Sequence, residues 1–146
     1  MNDERMTEDA RIAAVLGGCA HVPYPGVWRA APFVERVVDG VCHALVAVDP
    51  GAGAIGLRRD GGSLWLLPEG GAARLLNSDL AAFVAFDRAY GEASVEAEAE
   101  AEERAAEESA EALTARFRAL DPAAVADENA FWNIAAEELG YGAGGA

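Results

Sequence analysis

The sequence predicts an α+β protein with a central, mainly antiparallel sheet of four to five strands over about residues 33–76. In that stretch, short apolar runs alternate with the turn sequences DPGAG, DGG and PEGG, a pattern typical of a strand meander. On either side the chain is rich in alanine and carries apolar residues at helical spacing, which predicts one N-terminal helix and several C-terminal helices flanking the sheet. At 146 residues we expect a single domain over 1–142, followed by a flexible tail over 143–146.

The first helix is predicted over residues 7–16, where Thr7 is a suitable N-cap and Gly17-Gly18 ends the helix. One face of this helix is apolar and contains Ile12, Val15 and Leu16. The proline-rich stretch HVPYPGVWRAAP that follows is expected to form an ordered loop, with Trp28 packed into the core.

The strands are predicted from five apolar runs, which are FVERVV, VCHALVAV, AIGLRR, SLWLL and AARLL. VCHALVAV gives a strong strand signal, and FVERVV is expected at an edge of the sheet. Asp60-Gly61 lies between two of these runs and predicts a hairpin, because Asp-Gly favours the tight turns that join antiparallel strands.

The chain is predicted to be helical after Leu76. The tripeptide Asn77-Ser78-Asp79 offers side chains that can cap a helix. The apolar face of this helix contains Leu80, Phe83, Val84 and Tyr90. Residues 92–111 then contain nine glutamates and one arginine. We expect this acidic insert to be either a solvated helix or partly disordered, because little apolar surface holds it against the domain.

Two further helices are predicted towards the C-terminus. The first is marked by an apolar stripe at positions i, i+4 and i+7, formed by Leu113, Phe117 and Leu120. Asp121-Pro122 ends this helix, because a proline disfavours the α conformation at the residue that precedes it. Asp127 is expected to cap the last helix, and Gly140 to end it. The buried side of that helix is predicted to be Phe131, Trp132, Ala135 and Leu139.

The charge of the chain narrows the classes of partner. The formal net charge is −14 and the pI is about 4.4. A negative field of this size repels phosphate backbones and anionic lipids, so direct binding to nucleic acid or to a membrane is disfavoured and a basic protein partner is favoured. The polar, acidic start of the chain lacks the pattern of a secretory signal, and no stretch is apolar enough to span a bilayer. We therefore expect a cytoplasmic protein.

A glycine-rich stretch, DPGAGAIGLRRDGG, places Gly51, Gly53 and Gly56 at the GxGxxG spacing of dinucleotide-binding loops. Such a loop must open a helix, whose N-terminus binds the pyrophosphate. Only LRRD separates Gly56 from the next glycine pair, which leaves no room for that helix. The stretch is therefore predicted to be a hairpin turn followed by a strand, and an enzyme that uses this loop would need a helix after Gly56.

Other candidate chemistry is weak. Cys19, His21, Cys42 and His43 are possible zinc ligands, but neighbours on a strand point to opposite faces, so Cys42 and His43 could not easily share one metal. The serine motif of a hydrolase elbow is missing, and the acidic residues are too numerous to single out a catalytic pair. We expect no catalytic residues, no metal and no cofactor, and hence a protein that is not an enzyme.

Two stretches, RLLNSDLAAFVAFDRAY and ALDPAAVADENAFWNIAAEELGYG, resemble the SUKH family of bacterial immunity proteins, in particular its fourth subfamily. The first stretch supplies a strand, a cap and a helix with a Phe-Val pair: Leu75, Leu76, Asn77, Ser78, Leu80, Phe83 and Val84. The second supplies Leu-Asp-Pro, an acidic turn and a tryptophan-containing helix: Leu120, Asp121, Pro122, Asp127, Trp132, Leu139 and Gly140. The resemblance covers about residues 41–142. It departs from the family pattern at Asp79, which replaces a serine, before Val41, and in the length of the acidic insert.

The resemblance implies a cytoplasmic protein that binds and neutralises a cognate toxin of a polymorphic or contact-dependent system. Such toxins include nucleases and nucleic-acid deaminases. The candidate contact residues are Glu100, Glu103 and Glu107, which share one face if the acidic insert is helical. The alternative is a regulatory domain that binds a small ligand in a pocket between the sheet and the helices, lined by Trp65 or Trp132. The sequence leaves the toxin and the oligomeric state open.

Overall fold

The structure is a computed structural model that describes residues 2–99 and 103–142. Its helices and strands, in chain order, are α1 (Asn2–Gly17), β1 (Val27–Trp28), β2 (Glu35–Val38), β3 (Val41–Asp49), β4 (Gly53–Arg58), β5 (Leu64–Pro68), β6 (Arg74–Asn77), α2 (Leu80–Ala99), α3 (Glu103–Leu120), a 3₁₀ helix (Pro122–Val125) and α4 (Phe131–Gly142). The predicted α+β class is confirmed, with the N-terminal and C-terminal helices on either side of the strands in sequence.

The strands form one antiparallel sheet in the order β1-β3-β4-β5-β6, and β2 pairs with the same edge of β3 as β1 does. All five predicted strands are present, and β2 lies at an edge as expected. The two-residue strand β1 is an addition, because it lies in the stretch expected to be a loop. It forms by pairing Val27 with Val48 and Trp28 with Ala47.

Tight turns join the strands and rely on residues that tolerate a positive φ. Asp39 and Gly40 form the two-residue connection from β2 to β3, with φ of 52° and 77°. The predicted hairpin at Asp60-Gly61 is confirmed, with φ of 87° at Gly61 and 77° at Gly62.

All four helices contribute to one hydrophobic core with one face of the sheet. The helices supply Ile12 and Leu16 from α1, Phe83 and Phe86 from α2, Leu113 and Phe117 from α3, and Trp132 from α4. The sheet supplies Ala44, Val46, Ile55, Leu57, Leu64 and Leu76. Since neighbouring side chains on a strand alternate between faces, Leu45, Ala54 and Leu67 form a separate small cluster on the opposite face, beside Trp65.

Several predicted helix boundaries are wrong. Helix α1 begins at Asn2, so Thr7 lies inside the helix and is not its N-cap, because the preceding ERM sequence also favours helix. Helix α4 continues past Gly140 to Gly142. The acidic insert extends the two flanking helices, since residues 92–99 belong to α2 and residues 103–111 to α3. Alanine and glutamate both have high helix propensity, which accounts for this extension.

Candidate functional site

The three glycines of the GxGxxG spacing build a hairpin. Gly51 lies in the turn from β3 to β4 with φ of 82°, and Gly53 begins β4 with φ of 156°. Gly56 pairs with Leu45 and Trp65 inside the sheet, and a Cβ there would come within 2.6 Å of the Leu67 side chain. No helix follows, so the phosphate-binding interpretation is excluded and the predicted turn and strand are confirmed.

The four possible zinc ligands each have a different local role. His43 is fully buried on β3, where its Nδ1 donates to the Val41 carbonyl at 3.0 Å and its Nε2 accepts from Arg58 Nε at 3.4 Å. Burial raises the pKa of the Cys19 thiol to about 11, with a smaller contribution from the Asp87 carboxylate. Within residues 2–99 and 103–142, no group of three or more histidine, cysteine or acidic side chains is placed to hold a metal ion.

The pocket expected between the sheet and the helices is not lined by the two tryptophans. Trp132 is fully buried in the core, where its ring centroid lies 5.4 Å from that of Phe86 and 5.3 Å from that of Phe117. Trp65 lies on the opposite face of the sheet, where the Cζ atom of Arg58 is 3.9 Å from the centroid of its ring. The ligand-binding alternative therefore loses the two tryptophans that were expected to line its pocket, because Trp132 is enclosed by aromatic side chains and Trp65 lies on the other face.

A buried polar junction connects the end of β6 to the 3₁₀ helix and α4. The Asp121 carboxylate accepts from Ser78 N at 2.8 Å, from Ser78 Oγ at 2.7 Å and from Asn77 Nδ2 at 3.2 Å. Trp132 Nε1 in turn donates to Asn77 Oδ1 at 2.8 Å. Asn77, Asp121 and Trp132 are all buried, so these bonds satisfy groups that water cannot reach.

The junction also explains the tripeptide that precedes α2. Asp79 caps the helix, because its Oδ1 accepts from the Ala82 backbone N–H at 2.7 Å. Asn77 and Ser78 instead bond to Asp121, more than forty residues away in the sequence. Four residues that carry the family resemblance, Asn77, Ser78, Asp121 and Trp132, thus have a structural role, since they join the C-terminal helices to the sheet.

Comparison with known families decides the classification. The family model described as SUKH-4 immunity protein matches residues 7–138. The chain belongs to the SUKH-4 family of immunity proteins. The match includes most of the segment before Val41, which the sequence resemblance had left out, so most of α1 and the whole of β1 lie within the family match. No curated protein and no solved structure matches the chain.

An ionic contact, which sequence reasoning missed, attaches α1 of this SUKH-4 protein to the sheet. Asp9 is 1 % exposed and accepts from two guanidinium nitrogens of Arg59, at 2.5 and 3.1 Å. Asp9 Oδ2 also accepts from the Phe33 backbone N–H at 2.9 Å. Arg59 bonds in addition to Glu35 on β2 at 2.8 Å, and the hydrogen bond to Asp9 is the main cause that raises its pKa. This contact is structural as well.

The net negative charge of the chain comes from the sequence on either side of the sheet, which contains the helices. Residues 27–77, which contain the whole sheet, carry five arginines and five acidic residues. The rest of the chain carries six arginines and 20 acidic residues, and hence the full net charge of −14. The electrostatic attraction for positive charge therefore comes from the parts of the chain outside the sheet.

The predicted contact residues fall in the part of the sequence that carries the net negative charge. Glu103 and Glu107 lie on the first turns of α3, with side chains outside the described part, and Glu100 lies outside the described residues altogether. Beyond them, an ion pair joins Arg116 of α3 to Glu92 of α2 at 2.6 Å. No helix in the described ranges is long and apolar enough to cross a membrane.

Proposed function

We propose that this protein neutralises a cognate toxin by stoichiometric binding and does not act as an enzyme. The observation that carries the proposal is membership of the SUKH-4 immunity family, over residues 7–138. The location of the net charge supports a partner with a basic surface and disfavours direct contact with nucleic acid or anionic membranes.

The kind of toxin follows from the resemblance to SUKH immunity proteins. We propose a toxin of a bacterial polymorphic or contact-dependent system, either a nuclease or a nucleic-acid deaminase. Both classes bind nucleic acid and so present basic surfaces, which are complementary to an acidic inhibitor. Cys19 and Cys42 form no disulfide with each other, which agrees with the reducing cytoplasm expected for this protein.

A protection experiment tests this proposal. The toxin domain encoded beside the gene for this chain is induced in a bacterial host, with and without the chain. We expect growth only when the chain is present, and recovery of the toxin in a complex with it. If no neighbouring secreted protein is toxic, or if the chain protects against none, the proposed function is wrong.

The part of the acidic insert that contains Glu100, Glu103 and Glu107, here called the acidic segment, is the proposed contact surface, and a charge reversal tests it. Changing Glu100, Glu103 and Glu107 to arginine should slow association with the toxin and flatten its dependence on salt, because electrostatic steering acts mainly on the association rate. A control chain carries the same reversals at three exposed acidic residues elsewhere: Glu8, Asp60 and Glu69. Association kinetics equal to those of the control would remove the segment from the interface.

A further inference from the structure

A groove of about 700 Å³ runs between α3 and the segment that contains the 3₁₀ helix and the start of α4. Three exposed glutamates line it, namely Glu111 from α3, Glu128 from the turn before α4, and Glu137 from α4. The side chains that line the floor are small, because Ala110, Ala115 and Ala126 carry only methyl groups. The turn at Asp121-Pro122 brings these residues together from three parts of the sequence.

The groove carries unused acceptors. Within the described part of the chain, none of the three glutamates makes an ion pair, although Arg118 also lines the groove. Asn133 lies in the wall, where its Nδ2 donates to the carbonyls of Val125 at 3.0 Å and Asp127 at 2.8 Å.

The other end of the Asn133 side chain lacks a partner. Its Oδ1 is buried, and among the described residues it is the one buried side-chain polar atom without a hydrogen bond. Buried acceptors are nearly always satisfied by protein groups or by ordered water, so this carbonyl has the capacity for one further hydrogen bond. The three exposed carboxylates of the groove match the multiple N–H donors of an arginine or lysine side chain.

The position of the groove agrees with the charge distribution. Its lining residues all lie outside residues 27–77, in the part of the chain that carries the whole net charge. Glu107 and Glu103 stand four and eight residues before Glu111 in α3, so the acidic segment leads along this helix towards the groove. A basic partner attracted by that segment therefore meets a groove on the same helix.

We propose that the groove is the docking site for a lysine- or arginine-bearing segment of the cognate toxin. This inference rests on the proposed function and names the surface that performs it. The small floor admits the stem of a long basic side chain, and the glutamates at the rim neutralise its charge. The acidic segment steers the encounter, and the groove holds the bound partner.

The charge of the groove is tested with the variant E111Q/E128Q/E137Q. Its matched control is E8Q/D60N/E69Q, which changes the net charge equally at exposed residues outside the groove. The full-length chains are titrated into the neighbouring toxin domain by calorimetry at physiological salt. We expect the groove variant to bind at least about tenfold more weakly than the wild type, and the control to stay within about threefold of it.

The shape of the groove is tested without any change in charge. Ala115→Trp fills the floor, whereas Ala112→Trp adds the same bulk on an exposed part of α3 outside the groove. We expect the first variant to lose at least about tenfold in affinity and the second to bind normally. Thermal unfolding of both variants shows that any loss does not come from misfolding.

The outcomes separate the inference from the proposed function. If the wild type binds the toxin and the groove variants bind equally well, the docking site is wrong and the proposed function stands. If the wild type neither binds nor protects, both fail. If sedimentation shows a dimer of the chain that Ala115→Trp dissociates, the occupant is a second copy and the inference is overturned.

Discussion

Replacing Asp121 by alanine should destabilise the fold, because its carboxylate is the acceptor at the centre of the polar junction. The wild-type carboxylate accepts three hydrogen bonds, two from Ser78 and one from Asn77. Ser78 is exposed, so water can take over its two donors, whereas Asn77 is fully buried and its amide would be left unpaired. A buried donor without a partner costs about 1–3 kcal/mol, and bonds to a charged group contribute about 1.5–3 kcal/mol each.

The net cost is smaller than these contributions added together, because water can hydrogen-bond to Ser78 in the variant and because a buried charge is removed. We therefore expect the free energy of unfolding to fall by about 2–4 kcal/mol in Asp121→Ala. For a chain of this size the midpoint of thermal unfolding should fall by roughly 10 °C. Asp121→Asn should cost only about 1 kcal/mol, because its oxygen can accept from Asn77 and the Ser78 backbone while its amide donates to the Ser78 hydroxyl.

The assay is equilibrium unfolding in urea, followed by tryptophan fluorescence and circular dichroism. Glu8→Ala provides the control, since Glu8 is exposed on α1 and away from the junction. The three chains should share one m-value, so that the shift in midpoint reports stability alone. If Asp121→Ala lies within 1 kcal/mol of the control, or if Asp121→Asn is the worse of the two changes, the reasoning about the junction is refuted.

Three further changes probe other contacts of the fold. Arg59→Met removes both guanidinium hydrogen bonds from the buried Asp9 carboxylate and should cost about 3 kcal/mol in urea unfolding. Gly56→Ala places a Cβ 2.6 Å from a leucine methyl and 2.9 Å from His43 Cβ, so it should cost about 1–3 kcal/mol, whereas Gly17→Ala meets nothing within 4 Å and should be neutral. Burial lowers the pKa of His43, so the free energy of unfolding should fall as the pH drops from about 7.5 to 5. This fall should be smaller in His43→Gln, which lacks the buried ring, than in the control variant His21→Gln.

Each of these predictions has a clear contrary result. Unfolding midpoints equal to the wild type in Arg59→Met would mean that the ionic contact to α1 contributes nothing. Equal stabilities of the two glycine variants would mean that the sheet accommodates a methyl group beneath His43. The sign of the pH effect is fixed, because the unfolded chain protonates this histidine more readily than the folded chain does. An unchanged pH slope in His43→Gln would therefore contradict the buried, neutral ring.

Local patterns in the sequence were sufficient for most of the fold. Alternating apolar runs and Asp-Gly turns depend on neighbouring residues, so the five main strands were found. Strand β1 was missed because its two residues pair with β3 some twenty residues later, and nothing local indicates that pairing. The start of α1 was missed because Thr7 imitates a cap inside a sequence that is helical on both sides.

Contacts between distant residues were beyond sequence reasoning. Asp9 is one of 25 acidic residues, and only the fold shows that it is buried against Arg59, fifty residues away. The groove was missed for the same reason, because Glu111, Glu128 and Glu137 become neighbours only through the packing of α3 against α4. The density of glutamates between residues 92 and 111 drew attention to the acidic segment instead.

The central claim is that the protein inhibits a toxin by binding it one to one. The most direct measurement titrates the purified chain against a fixed amount of the neighbouring toxin domain and records the remaining toxin activity. The account predicts a linear fall that reaches zero at one equivalent, with a dissociation constant that rises with salt. Full toxin activity at a large excess of the chain would contradict the claim, and so would complete inactivation by a small fraction of an equivalent, which would indicate catalysis.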